Sequence, residues 1–122
     1  YQKAQGIYKT HLTPYGLTPM QFLVLEALFE EEGISAGDLG KKLVLDNATL
    51  SGILGRLADS GWISKSPDNE DRRLLRLALT PKAREQQAAL MREGDRAHSA
   101  VLREFRTEER LLLERLLRDF QK

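Results

Sequence analysis

Hydrophobic spacing divides this chain into helical segments and one stretch of alternation. Over residues 1–12, Ala4, Ile7, Tyr8 and Leu12 share one helical face, and Thr13-Pro14-Tyr15-Gly16 breaks the segment. Thr18 caps a second helix with Pro19 at the favoured first position. Its apolar set, Phe22, Leu23, Leu25, Leu28 and Phe29, covers much of the circumference and predicts a deeply packed element that ends at Glu30-Glu31-Glu32-Gly33. Ser35-Ala36-Gly37-Asp38 has the form of a capping box with Asp at its last position, and opens a short helix through Leu39 and Leu43. Val44-Leu45-Asp46 is the turn into a third helix, capped by Asp46 or Asn47.

That helix buries Leu50, Ile53, Leu54 and Leu57 by the i, i+3, i+4, i+7 rule and stops at Gly61. Its opposite face carries Ala48, Ser51, Gly52, Gly55, Arg56 and Asp59. Solvated helix faces ordinarily carry long charged side chains and avoid glycine, which costs about 1 kcal/mol relative to alanine. Small residues there let the backbone come close to a partner, a DNA groove being one candidate.

Alternation then takes over. Trp62-Ile63-Ser64-Lys65-Ser66 and Leu75–Leu79 predict a hairpin whose tip, Pro67-Asp68-Asn69-Glu70-Asp71-Arg72-Arg73, combines turn formers with two arginines. Two short helices, a tight turn and a charged hairpin outline a winged helix-turn-helix. Thr80-Pro81 starts a long helix to about Phe105, interrupted in pattern by Gly94, and Thr107 is read as the cap of a separate final helix. That last segment holds Leu111, Leu112, Leu113, Leu116, Leu117 and Phe120, too apolar for a monomer surface. It either folds back on the long helix or packs against another chain, and a homodimer is the favoured reading.

The predicted fold is therefore mostly α, a winged helix-turn-helix with a small β-hairpin wing, built as one domain over 1–122. Residues 18–80 form the DNA-binding core, and 1–17 and 81–122 the dimerisation helices. Charge changes this picture little. Nineteen basic against 18 acidic residues give +1, split as −2 over 1–34, +1 over 35–80 and +2 over 81–122, so shape and motif carry the argument. With no cysteine there is no disulfide framework, thiolate zinc site or cysteine redox sensor. The two histidines stand far apart, and no metal or other cofactor is expected. No nucleophile elbow, phosphate-binding glycine loop or metal-ligand helix motif points to an enzyme. No apolar run reaches the roughly 20 residues of a membrane span, and no signal peptide is visible, so the expected location is the cytoplasm.

Four matches in order give the chain a family resemblance. They are Leu17-Thr18-Pro19-Met20-Gln21-Phe22-Leu23-Val24-Leu25, Leu45-Asp46-Asn47-Ala48-Thr49-Leu50-Ser51, Arg56-Leu57 before Gly61-Trp62-Ile63, and Asp71-Arg72-Arg73 leading to Leu79-Thr80. Together they resemble the MarR family of transcriptional regulators over nearly the whole chain, the Asp-x-Arg wing followed by Leu-Thr being the most specific part. The resemblance implies a dimer, joined through its terminal helices, that binds pseudo-palindromic double-stranded DNA, usually as a repressor. In many members small aromatic or phenolic compounds release the DNA.

Carried over by position, Asn47, Ala48, Thr49, Ser51, Gly52 and Arg56 would face the major groove, and Ser35 would touch phosphate. Lys65 stands on the first wing strand where arginine is common. Asp71 would orient Arg73 toward the minor groove, with Arg72 beside it. Ile7, Leu111, Leu112, Leu116 and Phe120 would be dimer contacts. Tyr8 and His11 would line an effector pocket, core or interface packing being their commoner role. Gly52 and Gly55 replace residues that are often basic or polar in the family, which shifts weight toward phosphate contacts and DNA shape. The peroxide-sensing branch needs a cysteine that is missing here. The rival reading is a winged-helix protein-interaction module that does not bind DNA.

Overall fold

The computed structural model describes residues 2–121, with side chains through Asp119. In order, the elements are α1 (Gln2–Leu12), a 3₁₀ turn (Thr13–Tyr15), α2 (Pro19–Glu30), α3 (Ala36–Leu43), α4 (Asn47–Asp59), β1 (Ile63–Pro67), β2 (Leu75–Leu79) and α5 (Pro81–Gln121). The winged helix-turn-helix expected from the pattern is present. β1 and β2 pair antiparallel from Ile63 opposite Leu79 to Pro67 opposite Leu75, and Ser35 adds a single bridge to Arg76 on the outer edge.

The helix starts follow the capping chemistry. The Thr18 hydroxyl accepts from Gln21 N–H at 3.1 Å, and the Gln21 side chain accepts from Thr18 N–H at 3.0 Å, a complete capping box. The Ser35 hydroxyl accepts from Asp38 N–H at 3.1 Å, and Asp46 accepts from Thr49 N–H at 2.7 Å, which makes Asp46 the cap and Asn47 the first helical residue. The turn between α3 and α4 places Val44 at φ +56° with its side chain exposed. A branched side chain is strained in that left-handed region, and no packing offsets it.

The core gathers Leu12, Leu25, Leu28, Leu39, Leu54, Leu57, Trp62, Leu77 and Leu90, from all five helices and both sides of the wing root. In α2 the buried set includes Val24 and Ala27, whereas Leu23, expected inside, is exposed. Thr80 joins the wing to α5. Its N–H donates to Trp62 C=O at 3.1 Å, its hydroxyl donates to Gly61 C=O, and the same hydroxyl accepts from Ala83 N–H at 3.3 Å as a helix cap. Lys82 closes the corner, donating to Ser60 C=O at 2.8 Å with its ammonium 4.5 Å from the Trp62 ring centroid.

The expected break at Thr107 does not occur. α5 runs unbroken for 41 residues, about 60 Å at 1.5 Å per residue. The Thr107 hydroxyl donates back to Arg103 C=O at 2.9 Å instead of capping a new helix. Neither glycine nor proline stands nearby to interrupt the ladder, and Lys3 of α1 pairs with Glu104 and Glu108, on either side of Thr107. The last three turns therefore project with Leu111, Leu112, Leu113, Leu116 and Leu117 about half exposed, which rules out the fold-back alternative.

Gly94, read from sequence as a weak point, is where α5 seats on the core. A Cβ there would lie 2.4 Å from Phe22 Cζ and 3.1 Å from its Cε2. Phe22 is buried and its ring meets Tyr8 at a centroid distance of 6.4 Å, so it has little room to retreat. Replacing a mid-helix glycine by alanine ordinarily gains about 1 kcal/mol, whereas overpacking costs about 1–3 kcal/mol. Gly94→Ala is expected to lower stability by about 1 kcal/mol net, and Phe22→Leu in that background to recover part of the loss. Urea unfolding of the two variants checks this, and a Gly94→Ala protein more stable than wild type would contradict the seating.

Candidate nucleic-acid interface

The exposed face of α4 and the hairpin that follows it stand together. Ala48, Thr49, Ser51, Gly52 and Arg56 are exposed, and Gly55 is half-buried. A Cβ at Gly52 or Gly55 would meet nothing within 4 Å, so packing inside the protein does not demand glycine at either position. Asn47, Ser51 and Lys65 line one shallow depression of about 200 Å³, floored by Leu50, Leu54 and Leu75 and bordered by Ala36 and Gly37 of α3. The structure thus brings the α4 face, the first wing strand and the start of α3 to one surface. Ser35 is half-buried as the α3 cap.

At the hairpin tip Arg73 donates to Asp71 through Nε at 3.1 Å and through a terminal nitrogen at 3.2 Å, a two-pronged pair. The Arg73 side chain is nonetheless 91% exposed, so Asp71 sets its direction without covering it. Asp71 also accepts from Arg73 N–H at 3.1 Å. The Arg73 guanidinium, then its backbone N–H, hold the Asp71 carboxyl below its ordinary pKa. Arg72 is exposed and, among the described residues, enters no ion pair. Neither, among the described residues, does the Arg56 guanidinium.

Sequence reasoning missed what lies under the tip. Asp68 turns inward, toward Arg76 and away from Arg72 and Arg73. It accepts from Asp71 N–H at 3.0 Å, from Glu70 N–H at 3.1 Å and from Arg76 Nε. Arg76 reaches on to Gly33 C=O at 2.8 Å. Glu32 makes a parallel tie, accepting from Leu79 N–H at 3.1 Å and pairing with Arg84 of α5. The available signal was the turn-forming Pro67-Asp68 pair eight residues before an arginine on the polar face of β2.

The two effector candidates have contacts of their own. The Tyr8 ring lies against Phe22, and burial, then Glu26 and Asp95, raise its hydroxyl pKa. His11 Nδ1 is 3.1 Å from Glu93 of α5, and that bond, followed by one from Arg96, lowers the Glu93 pKa. His11 and Ile7 line a cleft of about 400 Å³ with Thr10, Ala100, Arg103 and Glu104. Phe120 lies outside the residues whose side chains are described. Among the described residues no helix is long and apolar enough to cross a membrane, and no group of acidic or histidine residues is arranged to hold a metal.

A helix-turn-helix whose second helix presents a small-residue face, followed by a two-stranded hairpin with a presented arginine, defines a winged-helix protein. Comparison with known proteins gives the family. The MarR family model matches residues 17–75, and this chain belongs to the MarR family of winged-helix transcriptional regulators. It is 42% identical over 77 residues to the transcriptional regulator TtmR of Methylorubrum extorquens, covering 63% of this chain and 40% of TtmR. The structure of reduced AbfR bound to DNA superimposes with a TM-score of 0.71 at 30% identity, over 90% of this chain and 84% of that one. BpsR of Bordetella bronchiseptica, whose DNA binding is regulated by 6-hydroxynicotinic acid, matches with a TM-score of 0.77 at 28% identity, over all of this chain and 87% of its own. The chain spans about half the length of the curated relatives it matches.

The Asp68 contacts have a pH signature. Arg76, then the N–H groups of Asp71 and Glu70, hold its carboxyl below the ordinary value, so folding favours the charged form. The stability it lends is complete above its unfolded pKa, about 3.9, and is lost as pH falls through the lower folded value. Wild type is expected to exceed Asp68→Asn in urea midpoint at pH 6, and this gap to narrow as pH falls below about 3.9, where protonation of the unfolded chain begins to offset the charged form's advantage. A gap that does not change with pH would place the cause outside the carboxylate charge.

Proposed function

We propose that this chain is a sequence-specific DNA-binding transcriptional regulator that binds a pseudo-palindromic operator as a homodimer, acts as a repressor, and is released by a small aromatic ligand. The observation that carries the reading is the Asp71–Arg73 pair, which fixes a fully charged, 91% exposed arginine at the tip of a hairpin beside an exposed small-residue helix. A surface arginine without a DNA partner gains nothing from such orientation, since exposed pairs of this kind contribute only about 0–1 kcal/mol to stability.

In this reading Ala48, Thr49, Ser51, Gly52 and Arg56 meet the major groove with Asn47 at its edge. Ser35 and Lys65 meet phosphates, and Arg73, oriented by Asp71 and flanked by Arg72, meets the minor groove. The close relation to AbfR, solved on DNA, supports it. Dimerisation would use α1 and the exposed leucines of α5, with Ile7, Leu111, Leu112 and Leu116 in the interface. Two α4 helices would then enter major grooves about 34 Å apart. A small aromatic effector seated beside Tyr8 and His11 would disturb the Tyr8–Phe22 contact and so the seat of α5 on Gly94, shifting the population away from the DNA-competent spacing. The relation to BpsR supports regulation by a compound of that size.

Two measurements test this reading, using a labelled duplex recovered by wild-type protein from random-sequence DNA. Arg73→Ala is expected to weaken binding and reduce the steepness of log K against log salt by about 0.9, the share of one phosphate contact. Unchanged affinity and slope would remove the wing from the interface. Separately, Leu112→Glu combined with Leu116→Glu is expected to leave a monomer in sedimentation and to abolish tight binding to the palindrome. A stable dimer with those changes would move the interface elsewhere. Failure of the wild-type dimer to bind any duplex at low salt would favour the protein-interaction module.

A further inference from the structure

We infer that Asp68 is a positioning residue for DNA recognition, locking the arginine-bearing tip of the wing to the start of α3 so that Arg73 and Ser35 meet the duplex at one fixed spacing. This rests on the wing reading proposed above. Among the described residues Asp68 is the one charged side chain in the buried set, although it sits in an otherwise exposed hairpin tip. Its two oxygens face opposite ways in function. One accepts from the N–H groups of Glu70 and Asp71, which shapes the tip and holds the residue whose carboxylate aims Arg73. The other accepts from Arg76, which donates on to Gly33 C=O and whose backbone bridges Ser35, the cap of α3. A continuous path of charge-assisted bonds therefore runs from the tip to the helix-turn-helix.

The need for such a path follows from the hairpin itself. A two-stranded ribbon is only marginally stable alone, and this one extends beyond the core with Ser64, Lys65, Ser66 and Pro67 all exposed. Without the Asp68–Arg76 link, the tip would keep only bonds within the hairpin, such as Asp68 N–H to Leu74 C=O and Leu74 N–H to Asp71 C=O, each 2.9 Å. Those bonds close the loop but do not tie it to α3.

The inference makes a prediction opposite in sign to simple electrostatics. An acid near DNA repels phosphate, so its removal would tighten binding if charge were all that mattered. If Asp68 positions Arg73, its removal must loosen binding. The test measures affinity and salt slope for wild type, Asp68→Ala, Asp68→Asn, Arg73→Ala and the Asp68→Ala/Arg73→Ala double variant, on the selected duplex. Asp68→Ala is expected to weaken binding about fivefold and to lower the salt slope as Arg73→Ala does. In the Arg73→Ala background it should add less than about twofold, the non-additivity of residues acting through one contact. Asp68→Asn should recover part of the loss, because its oxygen still accepts from the tip N–H groups. Arg76→Gln breaks the same path from an exposed position and should reproduce the non-additive loss if Asp68→Ala fails to fold. Unchanged or tighter binding by Asp68→Ala and Arg76→Gln, or losses that multiply with Arg73→Ala, would overturn the positioning role while leaving the wing reading intact. A silent Arg73→Ala would instead overturn the wing reading and this role with it.

Discussion

The seating of the long helix on the rest of the fold depends on one contact, the end of the Phe22 ring against the bare backbone of Gly94. α5 is a 41-residue rod, and a small change of angle where it meets the core is magnified along its length. A ring against a backbone with no Cβ admits no compressible side chain between them. Close-packed interiors transmit displacement because they lack free volume to absorb it. Tyr8 also packs against Phe22, so α1, α2 and α5 meet at one aromatic ring. Any event that moves this ring acts on the seating of α5 against α1 and α2.

The second constraint is polar and concerns the loop from Glu31 to Ser35. Glu32 binds the last strand and the first turn of α5 through Leu79 and Arg84. Gly33 receives Arg76 from the wing, and Ser35 caps α3. One short segment thus ties together β2, α5 and α3. This use of acids explains why the chain is nearly neutral while still presenting cations. Asp68 and Glu32 are engaged with Arg76 and Arg84, and Asp71 aims Arg73 without covering it. Arg56, Lys65 and Arg72 meet no carboxylate partner among the described residues. The bare net charge of +1 counts the internal pairs and understates what the surface offers.

Most of the fold could be read from the sequence because its signals are local. The Thr18, Ser35 and Asp46 caps, the Gly61 stop and the alternation of β2 each act within four residues, and all appear where the spacing puts them. The failures are those of long-range contacts. Gly94 looked like a flaw in a helix because its reason, Phe22, lies 72 positions away. Thr107 looked like a cap because a hydroxyl before acidic residues fits that role; the continuing ladder and the Lys3 pairs decided otherwise. In the site, the Asp71–Arg73 pair was legible since the partners are two residues apart. The inward turn of Asp68 was not, because the stretch from Asp68 to Arg76 offered three acids and three arginines with no local rule for matching them.

The glycines of α4 show how these constraints combine. Neither Gly52 nor Gly55 is required by packing, and each costs helix stability of about 1 kcal/mol relative to alanine. In the proposed reading, a groove-facing helix whose one long side chain is Arg56 would contribute to recognition mostly at close range. Close range tolerates little error in position, since a shift of an ångström separates contact from none. Such a helix depends more than a long-armed one on being held in place. Leu50, Ile53, Leu54 and Leu57 hold it in the core, and the Asp68–Arg76–Gly33 path fixes the wing that follows it. Under the proposed function, the sparse side chains of α4 and the ties around it would be two halves of one physical arrangement, in which shape and placement carry what long polar arms carry elsewhere.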